Sequence, residues 1–181
     1  MRWIGSWLHL YKAKGPNMAA LTPGIFAPDF TLSDMNGKTF SLHEARSRGP
    51  VVLAFFKVSC PTCQYAFPYL ERLYQAHRGS NLSLVGISQN DKDDTAEFIK
   101  TFGVTFPVLL DDTHSYPVSN SYGLTNVPTI YWIGATGKIE VSSVGWSRHD
   151  IEQIIANADS LGAESIPVFR VGEEVADFRA G

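Results

Sequence analysis

The order of apolar runs and helical patterns along this chain predicts an α/β fold, a central mixed β-sheet flanked by helices. Three observations carry the prediction. The runs VVLAFF at 51–56 and LSLVGIS at 82–88 read as strands buried on both faces, because they are apolar without clean alternation. Segments with apolar residues at helical spacing follow each of them. Hairpin signals stand before the first run and near the end of the series, so parallel and antiparallel pairings must share the sheet.

The elements follow in order. Residues 22–29, TPGIFAPD, are Pro/Gly-rich and extended. Short runs at 30–32 and 39–42 flank DMNGK at 34–38, a hairpin signal, and 42–48 suits a short helix. After the 51–56 strand, a helix is expected from Thr62 to about His77, with Phe67, Leu70, Leu73 and Tyr74 at helical spacing and Pro68 bending it. The 82–88 strand leads to a helix at 93–102, whose acidic opening suits the positive helix end. FPVLL at 106–110 is a short strand. Residues 111–125 are loop with a helical turn ending at Tyr122-Gly123. Runs at 129–133 and 138–144 around GATG form a second hairpin, and 149–158 closes the fold as a helix with Ile151, Ile154 and Ile155 inward. This organisation reads as an N-terminal extension at 1–21, one domain at 22–160 and an extended surface tail at 161–181. In the extension, Trp3, Trp7 and Leu10 could form an apolar helical face.

Composition narrows the function. The chain has 181 residues, 44% hydrophobic and 18% charged, with net charge -3 and no Lys/Arg cluster, so nothing points to a nucleic-acid partner. The apolar run of the first residues is broken by Gly5, Ser6 and His9, which argues against an export signal and for a cytoplasmic setting, with a periplasmic one as the alternative. No stretch approaches a membrane span.

The two cysteines, Cys60 and Cys63, are the chemistry-bearing feature. A strand-to-helix junction puts Cys60 at the helix start, where free N–H groups and the helix dipole stabilise an anion. Cys63 lies one turn on, within reach of a disulfide. That geometry makes Cys60 the attacking thiol and Cys63 the resolving one. Alternatives remain open. A structural zinc site needs about four ligands, and a second cysteine pair is absent. Two inert buried thiols fit poorly with Pro61 at a turn, and a stabilising bridge gains little from so small a loop. A soft-metal module through Cys60 and Cys63 is a further reading, with His114 and His149 as the only histidines to watch.

The chain resembles the thioredoxin superfamily, in its TlpA-like and AhpC/TSA redoxin branch. The resemblance rests on the strand before Cys60-Pro61-Thr62-Cys63, on Pro68 in the following helix, on YGLTNVPT at 122–129 and on Gly145 after the last strand. APDFTLSDMNGKTFSL at 27–42 matches the hairpin that precedes such domains. The resemblance implies a thioredoxin-like fold with an inserted helix–strand before a cis Val127-Pro128 bond. It implies thiol–disulfide oxidoreductase activity with the cysteine pair as the only redox group. Val127, Pro128, Pro61 and Thr62 are implied to contact a disulfide-containing protein substrate or a thioredoxin-type reductant.

The departures are equally specific. Where the family places a buried acid six residues before the first cysteine, this chain has Ala54; a glutamate three residues after the second is Ala66 here. Ser59 stands for the usual tryptophan. Lys57 is the nearest ionisable side chain in sequence and a candidate thiolate modulator, or a solvated strand-end residue. The peroxiredoxin pattern Pro-x-x-x-Thr-x-x-Cys fails in both registers, with Lys57 and Leu53 before Cys60 and with Cys60 and Phe56 before Cys63. Arg148 alone does not restore it, so dithiol exchange is favoured over peroxide reduction.

Overall fold

Six consecutive buried residues, Val51–Phe56, form the strand around which the sheet is built. In the computed structural model, which describes residues 19–162 and 166–181, the elements run as follows. Strands β1 (Thr31–Ser33) and β2 (Thr39–Ser41) make the expected hairpin, and α1 (Leu42–Arg48) follows, capped by the Ser41 side chain. Next come β3 (Val51–Phe56), α2 (Pro61–Ala76), β4 (Ser83–Ser88), α3 (Lys92–Phe102) and β5 (Val108–Leu110). The chain continues through α4 (Pro117–Ser121), β6 (Thr129–Ile133), β7 (Ile139–Val144), β8 (Trp146–Ser147), α5 (Arg148–Asp159) and β9 (Phe178–Arg179). Residues 1–18, and with them Trp3, Trp7 and Leu10, lie outside the described residues.

The main sheet has the order β5-β4-β3-β6-β7. β3 pairs in parallel with β4 and β4 with β5, while β6 is antiparallel to both β3 and β7. This is the mixed sheet that the element order predicts, in the thioredoxin-like arrangement that the resemblance implies. The two-residue period of β3 divides its side chains between two cores. Val52, Ala54 and Phe56 face α2, α3 and α5, packing with Phe67, Leu70, Phe98 and Ile154. Val51, Leu53 and Phe55 face α1 and α4, with Leu42, Leu109 and Tyr122. Both helical layers therefore depend on one strand.

Differences from the sequence reading are small and have local causes. Helix α2 begins at Pro61 rather than Thr62, since proline suits the first helical position and Cys60 supplies the cap. Asp91 caps α3 through the Asp94 amide, drawing its start back to Lys92. Pro68 sits inside α2 without an amide hydrogen to give the Gln64 carbonyl. Residues 166–181 turn at Arg170–Glu173 and form β9, which pairs with β8, and Val168 is buried in the core.

The α2–α3 layer is held largely by aromatic packing. The fully buried Phe67 ring lies 4.4 Å from Phe56, 5.0 Å from Phe98 and 5.7 Å from Phe106 by centroid. Phe67→Ala removes this hub and leaves a cavity, so it should cost about 3–5 kcal/mol of stability. Denaturant unfolding checks this: the midpoint should fall with the slope unchanged.

Candidate active site

The site begins where β3 ends. After Phe56 the chain turns through Lys57–Cys60 before α2, and the turn is fastened on several sides. The Cys60 amide donates to the Lys57 carbonyl (3.2 Å), Val58 N–H to Asn90 Oδ1 (3.1 Å), and Gln64 Nε2 to the Val58 carbonyl (2.9 Å). Because β3 and α2 are both locked in the core, this junction has little freedom. It delivers Cys60 to the N-cap of α2.

There the Cys60 sulfur accepts from the Cys63 amide at 3.3 Å, one of the donors left free at a helix start. Its own thiol donates to the Val127 carbonyl at 3.2 Å. The Val127-Pro128 peptide bond is cis, as the resemblance implies. The loop carrying it is tied down by Thr129 Oγ1 donating to the Asn126 carbonyl (2.7 Å) and by Gly145 N–H donating to the Pro128 carbonyl (2.8 Å). Cys60, Pro61, Thr62, Cys63, Val127 and Pro128, far apart in sequence, thus meet at one end of the sheet.

The two thiols are unlike. Both are free, but Cys60 is half-buried and Cys63 is sealed in the core with Ala54, Ala66 and Trp146. Burial pushes the Cys63 thiol well above the ordinary thiol range, only partly offset by the Lys57 backbone amide. Among the described residues Cys60 is the one ionisable side chain that perturbs it, and no carboxylate does so in place of the acids absent at 54 and 66.

Lys57 contributes through its backbone. Its ammonium lies 5.7 Å from the centre of the Tyr116 ring, at the rim of a cavity of about 210 Å³ that Gln89, Asn126 and Val127 also line. His149 contacts Gln153 on α5, and the His114 amide belongs to a turn around Asp112. Among the described residues no group of three or more potential ligands gathers to hold a metal ion, and no helix is long and apolar enough to cross a membrane.

Sequence reasoning missed one part of the site. Thr62 Oγ1 donates to the Ala180 carbonyl at 2.6 Å, and Asn126 Nδ2 to the Gly181 carbonyl at 3.2 Å. The end of the tail therefore borders the cysteine pair. The repeated Phe-Arg-x-Gly at 169–172 and 178–181 was the available signal, too short to read alone.

The profile of the AhpC/TSA family matches residues 23–142, most of the chain. The chain belongs to the AhpC/TSA family. It is similar to the thiol-disulfide oxidoreductase ResA of Geobacillus thermodenitrificans, at 32% identity over 136 residues, covering 74% of this chain and 76% of that protein. The ResA protein of Bacillus subtilis is 30% identical over 158 residues, covering 84% and 87% respectively. A thioredoxin domain from Bacteroides vulgatus has the same fold, with a TM-score of 0.68 at 23% identity over 76% of this chain and 98% of that one. The chain is a thioredoxin-like thiol–disulfide oxidoreductase.

The buried thiol has a measurable consequence. A raised folded-state pKa means folding favours the protonated Cys63. That stability is complete below the ordinary thiol value of 9.0 and is lost as pH rises above it. Above that pH the reduced protein should lose stability more steeply than Cys63→Ala, by up to about 1.4 kcal/mol per pH unit. Parallel curves of unfolding free energy against pH would refute this. Buried Tyr122 and Tyr131, also raised by burial, titrate in both proteins and cancel in the difference.

Proposed function

We propose that this protein reduces disulfides in protein substrates through the Cys60-Pro61-Thr62-Cys63 dithiol, with Cys60 as nucleophile and Cys63 as resolving thiol. The observation that carries the reading is the asymmetry of the pair. Cys60 is half-exposed at the α2 N-cap and faces the cis-proline loop, while Cys63 is buried one turn behind it.

The Cys60 thiolate attacks one sulfur of the substrate disulfide, and the other sulfur leaves as a thiolate. The mixed disulfide sits beside Val127, Pro128, Pro61 and Thr62, which contact the substrate chain. Cys63 then attacks the Cys60 sulfur. A Cys60–Cys63 disulfide forms, the second substrate sulfur leaves, and it takes up the proton that Cys63 loses. A thiol or thioredoxin-type reductant restores the dithiol. In a reducing compartment such as the cytoplasm, the reaction runs toward substrate reduction.

Peroxide reduction is the weaker reading, since the family residues that activate a peroxide are absent around both cysteines. Insulin reduction driven by dithiothreitol tests the assignment. Cys60→Ser should be inactive, and Cys63→Ser should accumulate a mixed disulfide visible by mass spectrometry. Turnover by Cys60→Ser would overturn the roles.

Resolution should also depend on pH. Because the Cys63 pKa lies well above neutrality, its thiolate fraction grows about tenfold per pH unit. In acid-quenched single turnovers, the decay of the mixed disulfide should accelerate accordingly between neutral and mildly alkaline pH. A flat profile would show that another group removes the Cys63 proton.

A further inference from the structure

We propose that residues 178–181 are a resident strand in the substrate groove, which a protein substrate has to displace before it reaches Cys60. The inference rests on the dithiol reading above and adds a gate to it.

The tail falls into two parts held in different ways. Its inner part is anchored on the body of the fold. Arg72 binds the Val168 carbonyl (3.0 Å) and the Glu173 carboxylate (2.7 Å). The Phe169 ring packs 5.4 Å from Tyr69, and the Trp146 indole N–H donates to the Ala176 carbonyl at 2.7 Å. The Ala176 amide donates to the Tyr65 hydroxyl at 2.9 Å, and the Arg148 amide to the Asp177 carbonyl at 2.8 Å.

The outer part, 178–181, has no such anchor. Phe178 is 64% exposed, and no side chain of this stretch is buried. What holds it is the two-residue pairing of β9 with β8, the Arg179 guanidinium 4.3 Å from the Tyr65 ring, and the bonds from Thr62 and Asn126. Short, exposed segments with no buried side chain of their own open readily.

The place it occupies is that of an incoming strand. It pairs antiparallel with β8 and ends against the cis-proline loop. A Cβ built on Gly181 would lie 2.6 Å from the Val127 carbonyl oxygen, and one on Gly145 2.6 Å from the Arg179 carbonyl oxygen. Only backbone without side chains at 145 and 181 lets the segment lie this close. The Thr62 hydroxyl and the Val127 backbone, both assigned to substrate contact, already face this segment. A substrate chain approaching by strand addition needs the same edge. Tail and substrate therefore compete, while a small disulfide, needing no strand pairing, does not.

Two variants release the segment through independent contacts. Arg179→Pro removes the guanidinium and the amide that a strand opposite β8 uses, and Gly181→Val drives a side chain into the Val127 carbonyl. If the groove is occupied about nine-tenths of the time, each should raise kcat/KM for insulin about tenfold. Reduction of hydroxyethyl disulfide should stay at the wild-type rate. Insulin rates at or below wild type in both variants would overturn the gate and make the tail inert or part of the binding wall. Alkylation of Cys60 by a polymer-linked maleimide provides a readout that does not need turnover. It should be faster in both variants than in wild type, with iodoacetamide rates equal. Should wild type reduce neither disulfide, the dithiol reading fails, and the alkylation rates still decide whether the tail covers Cys60.

Discussion

The site depends on one constraint, the burial of β3 on both faces. A strand with no solvent face cannot slip by one residue, because Val52, Ala54 and Phe56 would exchange cores with Val51, Leu53 and Phe55. The chain leaving Phe56 thus emerges at a fixed point of the sheet's end. Helix α2, held by Phe67, Leu70 and Leu73 in one of those cores, has to start a few residues later. Between two immobile elements there is room for one tight turn, and its last residue becomes the helix cap. That Cys60 has an amide donor at its sulfur follows from the packing of side chains with no part in the chemistry.

The same packing makes the two thiols unequal. Cys63 is carried into the core by the helix turn that leaves Cys60 at the surface, and the alanines at 54 and 66 complete an apolar shell around it. A carboxylate at either position would be desolvated among apolar side chains, which raises its own pKa and costs stability. The chain avoids that cost and keeps Cys63 protonated. The two thiols are thereby distinguished by solvent access, Cys60 half-buried and Cys63 sealed in the core.

Much of this was legible in the sequence where the signal is local. VVLAFF announces a doubly buried strand, the 34–38 and 134–137 turns announce hairpins, and Cys60, Cys63 and Pro128 stand in short motifs. Helix starts shifted by a residue because Cys60 and Asp91 act as caps, which periodicity does not report. Strands β8 and β9 were invisible, since two residues carry no alternation. The bond from Thr62 to Ala180 joins positions 118 apart and depends on where Trp146, Tyr65 and Arg72 hold the tail. The contribution of Lys57 was hidden for another reason: its side chain leaves for Tyr116 while its backbone serves Cys63.

Gly145 links these levels. At φ 76° it occupies backbone space that a residue with a Cβ adopts only with strain, and its amide holds the Pro128 carbonyl. It also leaves the gap into which the Arg179 carbonyl fits. A larger residue there would disturb the cis-proline loop and the tail together, though neither contacts the other's side chains through it. The motif glycine read from sequence as following the last strand is therefore also the point where the cis-proline loop and residues 178–181 meet one backbone.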